Sequence, residues 1–195
     1  MQVEPVVLSG AHVRLEPLTA DHVEALWAVA QYPEIWRYMP FRAGTREEYE
    51  GLVGALLSGQ RAGLTLPFVT VRLHPEPQVV GSTSFLEINP VHHRLEIGST
   101  WVTPAHQRSP VNTEAKLLQM THAFEVLGCN RVEFKTDSLN ATSRAALARI
   151  GAVEEGTFRN HMIMPDGRIR HSVWFSITRE EWPAAKARLV RRLSD

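Results

Sequence analysis

The segment Thr103-Pro104-Ala105-His106-Gln107-Arg108-Ser109-Pro110-Val111-Asn112-Thr113-Glu114 leaves an expected strand, runs through an irregular polar loop and opens a helix. A helix start presents unpaired N–H groups and partial positive charge, which together suit a phosphate, and Arg108 adds a formal charge beside it. The competing reading is that Asn112 only caps the helix. A second polar stretch, Asp137-Ser138-Leu139-Asn140-Ala141-Thr142-Ser143-Arg144, also opens a helix. Asn140 there either bonds the Ser143 amide as an N-cap or, together with Ser143, binds a polar ligand backbone. Cys129 follows Gly128 and reads as a buried small residue rather than a nucleophile. His92 and His93 are adjacent on an expected strand entry, where neighbouring side chains point to opposite faces, so they do not share a metal ion. No metal site is expected.

These residues need a scaffold, and the patterning supplies one. His12–Leu18 alternates as a half-buried strand, and Thr19 then caps a helix carrying Val23, Leu26, Trp27 and Ala30 to about Tyr32. Thr45 and Glu48 form a capping box ahead of the stripe Tyr49, Leu52, Val53, Leu56 and Leu57. Leu64–Leu73 and Val79–Ile88 read as strands around the loop His74–Gln78, and Arg94–Val102 as another, with Gly98 marking a bulge or a close backbone approach. Asn112–Leu127 is expected as a helix with Leu117, Leu118, Thr121, Phe124 and Leu127 on one face, stopped at Gly128. Arg131–Thr136 is a strand, Asn140–Ile150 a helix closed by Gly151, and Val153–Met164 with Ile169–Ile177 a hairpin across Pro165-Asp166-Gly167. An Arg-rich amphipathic helix follows from Glu180. The expected class is mixed α/β: a mixed, mostly antiparallel sheet of about seven strands with helices on both faces.

Composition narrows the function classes. The 195 residues suit one domain, read as residues 1–195 with a core of about 12–178 and a helical tail 179–195. Basic and acidic residues number 21 each, so nothing indicates a dedicated nucleic-acid binder. With one cysteine, neither an intrachain disulfide nor a cysteine-built zinc site is available. No apolar run suggests a membrane span and the opening residues lack a secretory pattern, so a cytoplasmic location without membrane contact is expected.

Three phrases, LEIGSTWVTPAHQRSPVNTEAKLL, RVEFKTDSLNATSRAALARIGAVEEG and HMIMPDGRIRHSVWFSI, together with the opening HVRLEPLTADHVEALW, resemble the GCN5-related N-acetyltransferase (GNAT) superfamily, in its RimJ/RimL-like branch. The resemblance runs from about His12 to Trp182. It implies a GNAT-like fold, acetyl-CoA as cosubstrate, and strands Arg94–Val102 and Arg131–Thr136 splayed apart to admit it. In the family a Gln/Arg-x-x-Gly-x-Gly/Ala loop holds the pyrophosphate. Gln107 and Arg108 fit its start, whereas Pro110 and Asn112 stand where the small residues belong. Pro110 has no N–H to give, which shifts the phosphate contacts to Arg108, Ser109 and the amides of Val111, Asn112 and Thr113. Asn140 and Ser143 match positions near the pantetheine arm and thioester.

The resemblance also implies a mechanism of direct attack by an amine. Glu96 is the expected general base, with Glu87 and His93 behind it; the alternative for Glu96 is a strand carboxylate paired with Arg94 or Arg131. A backbone N–H near Val102 would meet the carbonyl oxygen, and Ser143 would serve the leaving thiolate. Trp36, Tyr38, Met39 and Phe41 either pack as core or line the acceptor site, with Glu87 beside them. The expected acceptor is a protein N-terminus or a small-molecule amine, and a homodimer is the oligomer that the resemblance suggests. The alternative function is a non-catalytic acyl-CoA-binding or sensing domain of the same fold, motivated by Pro110 and Asn112. An α/β hydrolase is discounted because no Gly-x-Ser-x-Gly elbow is present.

Overall fold

The computed structural model describes residues 1–194; Asp195, the last residue of the expected tail, lies outside them. The strands are β1 (Leu8–Ser9), β2 (Val13–Pro17), β3 (Leu66–Arg72), β4 (Gln78–Asn89), β5 (Arg94–Val102), β6 (Arg131–Asp137), β7 (Val153–Ile163) and β8 (Ile169–Thr178). The α-helices are α1 (Val23–Ala30), α2 (Pro33–Trp36), α3 (Arg46–Arg61), α4 (Pro110–Thr121), α5 (Ala141–Ile150) and α6 (Trp182–Ser194). All eight strands share one sheet, ordered β1-β2-β3-β4-β5-β6-β8-β7. Every neighbouring pair is antiparallel except β5 and β6. The strand beyond the expected seven is β1, whose two residues are too few to show alternation.

Helices cover both faces, as the element pattern predicts. On one face α4, α5 and α6 bury Val111, Ala115, Met120, Leu147, Ile150 and Leu189 against Phe85, Leu95, Ile97, Val132, Phe134 and Phe175 of the sheet. On the other, α1 and α3 bury Leu26, Ala30, Tyr49 and Val53 against Val69, Val71 and Trp101. Two of the expected caps form as read. Thr45 Oγ1 accepts the Glu48 amide at 3.2 Å while the Glu48 carboxylate accepts the Thr45 amide at 3.3 Å. Asn140 Oδ1 accepts the Ser143 amide at 3.0 Å, and Gly151 closes α5 with φ 94°, a conformation that favours glycine.

The central helix departs from its expected form at both ends. It starts at Pro110, not Asn112, and its cap is Ser109. Proline suits the first helical position because its fixed φ fits and the missing N–H would be unpaired there anyway. Asn112 therefore lies inside the first turn and caps nothing. At the other end, His122–Val126 forms a π-helical turn ending in the Leu127 amide on the His122 carbonyl at 2.9 Å. The wider turn slips the helix face, so one 3.6-residue stripe does not run through it. The buried residues of α4 are Val111, Glu114, Ala115, Lys116, Gln119 and Met120, while Leu117 and Leu118 are only half-buried. Three of those six are polar.

Candidate active site

The site begins where two strands part. β5 and β6 pair only from Arg94↔Arg131 to Glu96↔Glu133. Beyond that β6 keeps to β8 as far as Asp137, and β5 keeps to β4 as far as Val102. Residues 97–102 and 134–137 thus face one another across an unpaired gap. β5 is also bulged: between Ser82↔Trp101 and Ser84↔Gly98 it carries one residue more than β4, and Ser99 sits at φ 48°. The Thr103 amide bonds the Val80 carbonyl at 2.8 Å, so Thr103 faces β4 and strand alternation turns the N–H and C=O of Val102 toward the gap. The Val102 carbonyl accepts Gln107 Nε2 at 3.1 Å.

Glu96 stands at the fork. It is 4 % exposed, and its carboxylate occupies the space a side chain at position 98 would need: a Cβ there would lie 2.7 Å from Glu96 Oε1. The glycine lets the carboxylate lean along the strand into the open stretch. Its ion-pair partner is Lys135, at 3.1 Å, and not Arg94 or Arg131. Those two arginines hold Glu133 instead, at 3.2 and 2.8 Å. Burial pushes the Glu96 carboxyl above its ordinary value; Lys135 opposes this, and Glu87 and Glu133 add to it. Glu87 is a strained β4 residue at φ 48° where the β4–β5 register shifts, and His93 lies at φ 50° just before β5.

The turn that leads from β5 into α4 is donor-rich. Ser109 Oγ donates to the His106 carbonyl at 2.6 Å and accepts the Val111 amide at 3.4 Å. The amides of Ser109, Val111 and Asn112 lie outside the helical ladder, whereas that of Thr113 is the first within it. Arg108 precedes the cap at φ 58°. Beside this turn lies a cavity of about 140 Å³ lined by His12, Arg72, His74, His106, Ser109, Pro110 and Val111. Backbone N–H groups, arginine and histidine with no acid among them fit a diphosphate, so the residues present suit coenzyme A. Ser143 is half-buried at the start of α5, beside Asn140.

Trp36 packs as part of a hydrophobic core. Its ring lies 5.4 Å from that of Trp101 and 6.1 Å from those of Tyr49 and Phe41, and its Nε1 donates to the Ala30 carbonyl at 2.8 Å. Met39 joins the same core, while Tyr38 gives its carbonyl to Arg170 Nη1 at 3.3 Å. Cys129 is fully buried and its thiol is pushed up to about 11 by that burial, an inert group.

Further polar residues lie buried against the sheet. On the α4 face, Lys116 donates to Thr100 of the bulge at 2.8 Å and to Thr83 at 3.3 Å. Thr83 also donates to Gln119 Oε1 at 3.1 Å. No carboxylate pairs with Lys116 among the described residues, and burial pushes its amine down to about 7. Glu114 accepts the amides of Ala11, His12 and Val13 at 2.9, 2.6 and 2.7 Å, fastening the β1–β2 turn to α4. Asp137, at the end of β6, accepts the Leu139 amide at 3.0 Å and Arg168 Nη2 at 2.6 Å. Polar residues at i, i+2 and i+5 among the apolar Val111, Ala115, Leu117, Leu118 and Met120 are the available sign for Glu114, Lys116 and Gln119. Nothing local marks Lys135 or Asp137.

Residues 12–153 match the family described as "Acetyltransferase (GNAT) domain". A Bacillus subtilis (strain 168) protein, provisionally named ribosomal N-acetyltransferase YdaF, is 32% identical over 106 residues, which cover 54% of this chain and 57% of that protein. The FsC-acetyl coenzyme A-N(2)-transacetylase of Aspergillus fumigatus is 29% identical over 187 residues, 90% of this chain and 77% of its own. Among solved structures, a GCN5-related N-acetyltransferase from Brucella melitensis superposes with a TM-score of 0.87 at 33% identity, covering 96% of this chain and 85% of that one. No described helix is long and apolar enough to cross a membrane.

Proposed function

The chain belongs to the GNAT acetyltransferase family, and from that premise we propose that it transfers an acetyl group from acetyl-CoA to a primary amine, on a protein N-terminus or a small molecule. Acetyl-CoA supplies an activated thioester; the chain's own residues do the rest. Glu96, its carboxyl raised toward neutrality by burial, takes the proton that the attacking ammonium must lose, directly or through water. The Val102 N–H, turned toward the gap, donates to the carbonyl oxygen as charge builds there. Ser143 gives a proton to the departing thiolate. The amides of Ser109 and Asn112, and that of Val111 once it leaves the Ser109 hydroxyl, hold the phosphates with Arg108 and Gln107 nearby, and Asn140 holds the α5 turn against the pantetheine arm. Trp36, Tyr38, Phe41 and Glu87 border the acceptor.

One observation carries this reading: the carboxylate of Glu96 lies over Gly98, where pairing between β5 and β6 stops. Pro110 removes one amide from the phosphate set but leaves those of Ser109 and Asn112, with Val111 capped by the Ser109 hydroxyl, so binding does not depend on it. The test has two stages. Acetyl-CoA raises the melting temperature, and no shift at millimolar cosubstrate rejects acetyl-CoA binding altogether. Thiol release is then followed over a panel of amines and N-terminal peptides. Binding without release across a broad panel favours the acyl-CoA sensor instead.

A further inference from the structure

The β7–β8 hairpin carries a second polar feature beside Glu96. Between Phe158↔Ser172 and Met162↔Arg170, β7 advances four residues while β8 advances two, so Arg159, Asn160 and His161 bulge from the sheet. Asn160 stands at φ 52°, and its amide donates to His171 Nδ1 at 2.9 Å. The bulge walls an open cavity of about 890 Å³ lined by Phe158, Arg159, Asn160, His161 and His171. No acid lines it.

Hydrogen bonding fixes what the two rings present. His171 accepts at Nδ1, so its proton is on Nε2. Ser172 Oγ accepts Arg170 Nε at 2.9 Å and, being fully buried, must give its own proton to His161 Nδ1 at 3.0 Å. His161 therefore also carries its proton on Nε2. Burial, with Lys135 and Arg170 nearby, holds the His161 ring neutral by pushing its pKa down.

The charges around the groove do not cancel. Glu96 is taken by Lys135, Glu133 by Arg94 and Arg131, and Asp137 by Arg168. Arg170, 4 % exposed, has no carboxylate within 4.0 Å among the described residues, and neither has exposed Arg159. Asp137 and Glu96 act on this guanidinium from beyond contact distance, yet burial still pushes its pKa down, so an incoming anion would relieve a cost that those two carboxylates meet only in part. The groove also adjoins the reaction site. His161 packs edge-on against Trp174 at 4.9 Å, Lys135 Nζ lies 5.3 Å from the same ring, and Lys135 reaches Glu96 at 3.1 Å.

We infer that the acceptor is an amine bearing an oxyanion, and that the β7 bulge seats that anion with Arg159 and the Nε2–H groups of His161 and His171 as donors and Arg170 as the fixed charge behind them. This rests on the acetyl-transfer reading for its acceptor, but anion binding can be measured without turnover. Enzyme saturated with coenzyme A and labelled with nitrogen-15 is titrated at constant ionic strength with succinate, inorganic phosphate or succinamide, following the ring resonances of His161 and His171. Saturable shifts of both rings with succinate or phosphate, absent with succinamide, are expected. Whichever anion binds names the group as carboxylate or phosphate. The surface variant Arg159→Ala should weaken this binding about tenfold, the loss of one charged hydrogen bond. No saturation below about 50 mM, or equal shifts with succinamide, overturns the inference. If succinate is the anion that binds, an amino acid should outperform its own amide in transfer assays; if phosphate is, an amine bearing a phosphate should outperform the same amine bearing a hydroxyl, and parity within the relevant pair also overturns it. Ring shifts that persist while no amine is acetylated would sink the catalytic reading and leave the anion groove standing.

Discussion

Lys116→Met isolates the most unusual group near the gap. The amine sits beneath the β5 bulge, 6 % exposed and without a carboxylate, and burial lowers it from an ordinary 10.5 to about 7. Below about pH 7 the amine is protonated in folded and unfolded chains alike, so the folded state carries the whole cost of a buried charge. Between about 7 and 10.5 the unfolded chain binds the extra proton, and stability rises with pH at about 1.4 kcal/mol per unit. Above that window both states are neutral and the penalty is gone. Over the full window the change is about 5 kcal/mol, and between pH 7 and about 9 it is about 3 kcal/mol. Methionine is unbranched, one heavy atom shorter than lysine, and has no charge to bury. Thr83 and Thr100 stay bonded to each other at 2.7 Å, and Thr83 to Gln119, so the substitution strands neither hydroxyl. The variant should therefore be more stable than the parent at about pH 6, with an advantage that shrinks by about 3 kcal/mol on reaching about pH 9. Urea unfolding across that range measures it. Parallel stability curves for the two proteins would show that the amine is not held neutral, and the reasoning would fail.

Other perturbations test other parts. Glu96→Gln should lower kcat by about 10²- to 10⁴-fold with acetyl-CoA affinity kept; unchanged turnover removes Glu96 from the reaction. Because the Glu96 carboxyl is raised, the acid limb of the parent pH–rate profile should lie above that of an ordinary carboxylate, and the limb should vanish in the variant. Gly98→Ala sets a methyl 2.7 Å from Glu96 Oε1 and 2.8 Å from Leu86 Cδ1, so turnover should drop far more than the melting temperature. An active variant would show that the carboxylate's position is immaterial. Glu114→Ala leaves three amides of the β1–β2 turn without their acceptor and should cost about 3 kcal/mol in chemical denaturation. A loss within experimental error would mean that water replaces the carboxylate.

What was legible in the sequence was what is local. The run Arg94–Val102 reads as a strand and is β5 to the residue, and the caps at Thr45 and Asn140 are legible because their bonds reach only three residues along the chain. Gly98 was marked as a disturbance in the strand, and the bulge lies there. The start of α4 differs from the expected Asn112 because Ser109-Pro110 is a better cap and first residue. Its buried face was misread because Glu114, Lys116 and Gln119 are polar residues whose partners come from distant strands, and because a π-helical turn breaks the period. The pairing of Glu96 with Lys135 depends on β5 and β6 lying side by side, 39 residues apart at the Glu96↔Lys135 contact, which no spacing rule encodes. The cation-rich groove was invisible for the same reason: Arg159, His161, Arg170 and His171 converge only through the hairpin register.

The opening between residues 97–102 and 134–137 is made of peptide groups, which every residue except proline supplies in the same form. A recess built that way is nearly silent in sequence: its side chains can drift without altering what the wall offers a visitor. The acceptor side is the opposite case, since each of its donors is a particular side chain and changes identity with one substitution. On the proposed assignment, one side of the cleft offers its visitor peptide groups and the other offers particular side chains, so a single substitution alters the second and spares the first.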